Sequence, residues 1–149
     1  MLPVLSLAQL HDSTKVYKGK GSYDKTIVDL SNRNISKTLT VNMNVEVLIL
    51  DNNNITKLPD LFANFTKLSS LSVRNNNLID VDILMYCENL EELYLSGNPN
   101  LKELPDLSNC KKLKVIDVTN TKISNIPINI QQMENLGYFK YTVKKNAKE

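Results

Sequence analysis

The sequence predicts an α/β fold: a right-handed solenoid with a curved parallel β-sheet on its concave side and short irregular or helical segments on its convex side. Three observations predict it. Aliphatic residues recur at spacings of three and then two, as at Leu90, Leu93 and Leu95. An asparagine follows at a fixed offset, as at Asn98. The grammar restarts at positions 45, 68, 90 and 113, every 22 or 23 residues. A period of two marks a strand with one apolar face, and a restart at this interval marks a stacked repeat.

At 149 residues the chain is read as a single domain, long enough to bury a core. Residues 1–24 lack the repeat. The stretch Leu5 to Tyr17, with Leu5, Leu7 and Leu10 among helix-tolerant neighbours, is read as a short capping helix, and residues 18–25 as a glycine-hinged basic loop. The solenoid then occupies 25–143. A degenerate first unit places Val28, Leu30, Arg33 and Ile35 in the second half of the frame, with arginine at the asparagine post. Four full units follow: Val45, Leu48, Leu50, Asn53, Ile55; Leu68, Leu71, Val73, Asn76, Leu78; Leu90, Leu93, Leu95, Asn98, Leu101; and Leu113, Ile116, Val118, Thr121, Ile123. Pro99 and Asn100 lengthen the third by one residue. A last unit begins with Leu136, Phe139 and Tyr141, and 144–149 form a basic C-terminal tail.

Further in-phase signals hold the register. Leu58-Pro59, Leu104-Pro105 and Ile126-Pro127 recur after the asparagine post. Phe65, Cys87, Cys110 and Met133 each lie three residues before the next leading aliphatic. The bend after each strand turns backbone N–H and C=O groups inward, where an asparagine amide can satisfy both kinds. Asn53, Asn76 and Asn98 are therefore expected to form an internal asparagine ladder, with Thr121 filling the post by a shorter hydroxyl. Arg33 resists burial, so the first turn is expected to be open or capped.

These residues resemble the leucine-rich repeat family over roughly 25 to 143. The 23-residue length and the Leu-Pro after the asparagine are most similar to its intracellular Ras-group repeats, as is the opening Val28 to Ser36. The resemblance implies the fold strongly and a function only as a protein-binding module, a small intracellular adaptor or regulator. Secreted members of the family carry cysteine clusters at both ends; this chain has only Cys87 and Cys110, in equivalent repeat positions. They are read as small apolar plugs rather than a disulfide, which favours a reducing compartment and a cytoplasmic location. The N-terminal segment lacks a basic n-region and is read as no signal peptide. Three sequons, at Asn34, Asn54 and Asn64, support the alternative of a secreted or cell-surface recognition module carrying N-glycans.

Enzyme chemistry has few residues to draw on. His11 is the only histidine, which leaves no Ser/His/Asp set and no histidine-based metal site. The Lys18–Ser22 stretch lacks the spacing of a phosphate loop. No catalytic residue, cofactor or metal is expected. A net charge of +2 gives no reason to expect nucleic acid, and no apolar run is long enough to insert in a membrane.

The remaining strand positions point to the concave face. Ahead of the central leucine the row is Ile27, Val47, Ser70, Glu92, Val115 and Tyr138. Beyond it run Asp29, Ile49, Ser72, Tyr94, Asp117 and Lys140, then Ser31, Asp51, Arg74, Ser96, Thr119 and Thr142. A protein partner is expected to contact Ile49, Arg74, Tyr94, Asp117 and Tyr138 first, with Val47, Ser72, Glu92, Val115 and Lys140 around them. Tyrosine and arginine are enriched at binding hot spots, and exposed aliphatics on a strand are informative. Lys140, Lys144 and Lys145 are read as charges that discourage strand addition at the last edge, so a monomer is preferred over a homodimer.

Overall fold

The structure, a computed structural model, describes residues 14–17, 25–37, 39 and 41–142. Seven strands form one sheet in chain order: β1 (Thr14–Tyr17), β2 (Lys25–Asp29), β3 (Val47–Ile49), β4 (Ser70–Ser72), β5 (Glu92–Tyr94), β6 (Val115–Val118) and β7 (Tyr138–Tyr141). The last six are parallel, and each is paired with the equivalent positions of its neighbour. Leu48, Leu71, Leu93 and Ile116 lie side by side in that register. All four are fully buried, so the middle of each strand faces the bore of the solenoid.

One unit has too little apolar surface to close a core, whereas stacked units cover each other's faces. Leu50, Val73, Leu95 and Val118, two residues further on, are buried on the same face, and Leu58, Phe62, Leu84 and Leu107 are buried in the return segments. The chain crosses the convex side by different means in different turns. Proline's fixed φ ends the descent at Pro59 and Pro127, and a 3-10 segment (Asp60–Asn64) and a one-turn helix, α1 (Ile128–Gln131), follow. A second 3-10 segment (Asp82–Tyr86) does the same without proline. After Leu104-Pro105 the return is irregular, yet Leu104 and Leu107 are still buried.

The bend after each strand needs a left-handed residue. Asn32, Asn52, Asn75 and Asn120 supply it with φ of 53–58°, and Gly97 takes the post in the third full unit at 74°. Asparagine tolerates this region better than most residues with a Cβ. A Cβ at Gly97 would sit 2.2 Å from Asn75 Oδ1, so glycine here leaves room for the neighbouring asparagine. Asn75 Nδ2 in turn donates to Asn52 Oδ1 at 3.0 Å, giving an outer asparagine spine beside the buried one. The Asn-Asn pairs at 52–53 and 75–76 carry both ladders in adjacent letters.

The N-terminal expectation needs correction. Thr14–Tyr17, the end of the stretch read as a capping helix, is strand β1, antiparallel to β2 with Thr14 opposite Val28. Thr14, Val16 and Tyr17 are β-branched or aromatic, which suits a strand better than a helix. The rest of that stretch, the loop at 18–24 and the basic tail with Lys144 and Lys145 lie outside the described residues.

Candidate concave interface

The buried ladder ties successive turns together behind the concave face. Asn53 Oδ1 accepts from the Arg33 and Ile35 N–H groups, both at 3.0 Å, and its Nδ2 donates to the Leu30 and Leu50 carbonyls at 2.9 Å. Asn76 reaches back to Leu50 O at 2.9 Å and accepts from Ile55 N–H. Asn98 reaches back to Val73 O at 2.9 Å and accepts from Leu78 N–H. Each amide thus ties its own turn to the preceding one. Thr121 does not: its hydroxyl donates to Val118 O and accepts from Ile123 N–H, both in its own turn. Arg33 is exposed, and its backbone N–H joins the ladder.

On the concave side the strand pairing aligns the candidate residues in rows: Val47, Ser70, Glu92, Val115, Tyr138 in one, Ile49, Ser72, Tyr94, Asp117, Lys140 in the next. Tyr138 and Lys140 are exposed. Val47, Ile49, Glu92, Tyr94, Val115 and Asp117 are half-buried. Ser72 departs from the expectation of an accessible position. It is 6% exposed, because its hydroxyl donates to Asp51 Oδ1 at 2.6 Å and accepts from Arg74 Nη1 at 3.1 Å.

That contact opens a network centred on Asp51, which the sequence reading placed on the face but did not single out. Asp51 Oδ1 also accepts from the Arg74 backbone N–H at 2.8 Å, and its other oxygen lies 3.8 Å from the Arg74 guanidinium. The guanidinium sits over the Tyr94 ring, 4.1 Å from its centre. Such a stack contributes about 0.5–1 kcal/mol at an exposed site. Burial pushes the Tyr94 hydroxyl's pKa up, and the Glu92 carboxylate beside it adds to the effect. Three strands therefore hold one arginine and one tyrosine in fixed positions, while Asp117 and Tyr138 lie on the next two strands.

The two thiols are remote from this face. Cys87 and Cys110 are free and buried, with Sγ donating to Phe62 O and Leu84 O one turn back. Desolvation pushes Cys87 up to about 12 and Cys110 up to about 11. Among the described residues no cluster of three metal-binding side chains occurs, and no helix is long and apolar enough to cross a membrane.

Family models described as leucine-rich repeats match residues 43–99 and, as two copies, 88–131. The chain belongs to the leucine-rich repeat family. Neither description distinguishes the Ras group. A probable inactive serine/threonine-protein kinase, roco10, of Dictyostelium discoideum is 32% identical over 98 residues, 62% of this chain and 4% of that protein. The disease resistance protein RPS4B of Arabidopsis thaliana is 30% identical over 86 residues, 56% of this chain and 7% of that protein. The chain thus spans a small fraction of these relatives. Among solved structures, an internalin of Listeria monocytogenes superposes with a TM-score of 0.60 at 21% identity, over 69% of this chain and 31% of that one. A leucine-rich repeat protein of Leptospira interrogans gives 0.60 at 26% identity, over 69% and 28%.

Proposed function

We propose that this leucine-rich repeat module is non-enzymatic and binds another protein through its concave face, as a small intracellular adaptor or regulator. The observation that carries the reading is the Asp51–Arg74–Tyr94 network. It holds two residues of hot-spot type in a fixed arrangement before any partner arrives, which reduces the ordering cost of association. Ile49, Val47, Ser72, Glu92, Val115, Asp117, Tyr138 and Lys140 surround them, with Ser72 acting from beneath as a support. The chain acts as a monomer in this reading, and neither nucleic acid nor membrane insertion takes part.

The test is affinity purification from the native source with the wild-type chain and with Tyr94→Ala and Arg74→Ala. Both variants are expected to lose the partner while melting within a few degrees of the wild type. Normal capture by both would refute a concave site.

A second reading keeps the binding face but places the module at the cell surface or outside it. It is favoured by one observation: Asn34, Asn54 and Asn64 are all exposed. A mass shift of native material on glycosidase treatment would select it over a cytoplasmic location.

A further inference from the structure

We propose that the segment of the partner seated on the C-terminal half of the concave face presents a lysine or arginine side chain, received by Glu92 and Asp117 beside Tyr94. The inference rests on the concave reading above and names the chemistry of its occupant.

The charges on the face are not equivalent. From β3 to β7 its bases are Arg74 and Lys140 and its acids are Asp51, Glu92 and Asp117, with Asp29 on β2. Arg74 is committed within the chain. Asp51 lies against one side of it, the Ser72 hydroxyl accepts from Nη1, and Tyr94 lies under its guanidinium. An anionic partner group would have to compete with Asp51 for it. Asp51 is likewise engaged, by the Ser72 hydroxyl and the Arg74 N–H as well as by the guanidinium. Asp29 holds the Ser31 N–H and hydroxyl on one oxygen, as Asp117 holds those of Thr119, but it lies on β2, three strands from Tyr94.

Glu92 and Asp117 differ. Among the described residues neither has an ion pair within 4 Å. Asp117 accepts the Thr119 N–H and hydroxyl on a single oxygen, Oδ1. Glu92 accepts the Ser70 hydroxyl on Oε2 and neighbours the Tyr94 hydroxyl. They sit diagonally across β5 and β6, with Tyr94 paired to Asp117 and Val115 to Glu92. Diagonal neighbours on adjacent strands are within reach of one long side chain. The result is two carboxylates around a tyrosine, flanked by Val115 and Tyr138. That suits the aliphatic stem and cationic head of a lysine or arginine.

The chain as a whole carries +2, so this patch opposes the charge of the rest of the molecule and gives an approaching basic segment a preferred landing place. Lys140, in register with Asp117 on β7, bounds the patch and places the partner's cation over β5 and β6.

The experiment pans a displayed library of short random peptides against the immobilised full chain. Enriched peptides are then titrated against wild type, the Glu92→Gln/Asp117→Asn double variant and Tyr94→Ala. The expected result is enrichment of lysine or arginine next to apolar residues, with affinity falling about tenfold or more in the double variant and with added salt. Matched melting curves exclude unfolding as the cause. Enriched peptides that are acidic or uncharged, or that bind the double variant undiminished, overturn the proposal. If such peptides still fail on Tyr94→Ala, the concave reading stands and only the cation assignment falls. Enriched peptides indifferent to all three substitutions, or no enrichment at all, overturn both.

Discussion

Asn76 and Thr121 occupy the same post two turns apart, and the bonds around them differ. Asn76 spans two turns with one amide, taking Leu50 O behind it and Ile55 N–H beside it. Thr121 closes only its own bend. The backbone follows the same trend. Asn52, Asn75 and Gly97 donate to the carbonyls of Arg74, Ser96 and Thr119, but Asn120 donates to a side-chain oxygen, that of Thr142. Burial changes too: Leu93 and Ile116 are fully enclosed, whereas their counterpart Phe139 is half-buried. Identical sequence spacing therefore gives unequal cohesion. A repeat is held by what its neighbours on both sides supply.

The largest effect should come from the centre. Leu93→Ala is expected to cost about 2–5 kcal/mol by leaving a cavity that close packing cannot refill. Phe139→Ala should cost clearly less despite removing more atoms. Chemical denaturation of both variants tests the ordering, and equal losses would erase the distinction between centre and end.

Next in size is the ladder. Asn76→Ala leaves the Ile55 N–H without its acceptor in a dry interior and should cost about 1–3 kcal/mol. Asn77→Ala, one position outward and exposed, should leave the denaturation midpoint almost unmoved. Thr121→Asn sharpens the comparison in the opposite direction. An amide there can reach back as Asn98 does, and a gain of about 1 kcal/mol is expected. An unchanged or lowered midpoint would mean that the last turn is limited by its exposed apolar edge and not by the missing bond.

Near neutral pH the smallest effect concerns the thiols. A thiol reagent should label Cys87 and Cys110 only at the rate at which the chain opens. The sign with pH follows from the raised values. From the ordinary 9.0 towards 11 and 12 the unfolded thiols ionise while the folded ones remain protonated, so stability should fall as alkalinity rises. Rapid labelling of the folded chain near neutral pH would contradict the burial of both.

Much of this was legible in the sequence because a solenoid writes its cross-section in every repeat. The positions of Leu48, Leu71, Leu93 and Ile116 follow from a period of two and a period of 22 or 23, and the rows of the concave face follow with them. The extra residue before Leu101 could also be placed, since Leu101 is buried after the longer gap. Strand β1 escaped because it pairs antiparallel and lies outside the repeat. Its β-branched and aromatic residues carried the signal, and the leucines before them suggested a helix. Ser72 escaped for a different reason. Its burial depends on where the Arg74 side chain lies, and that is set by Asp51 and Tyr94 on other strands. Spacing alone places side chains on a face, but it does not say which of them cover one another.

The bonds that join one turn to the next link residues far apart in the chain, 25 positions between Asn98 and Val73 and 26 between Asn76 and Leu50. Severing the polypeptide once on its outer arc, for instance within 80–86, would cut no rung of the sheet. The two pieces would stay docked along β4 and β5, so this protein lends itself to splitting into halves that find each other again.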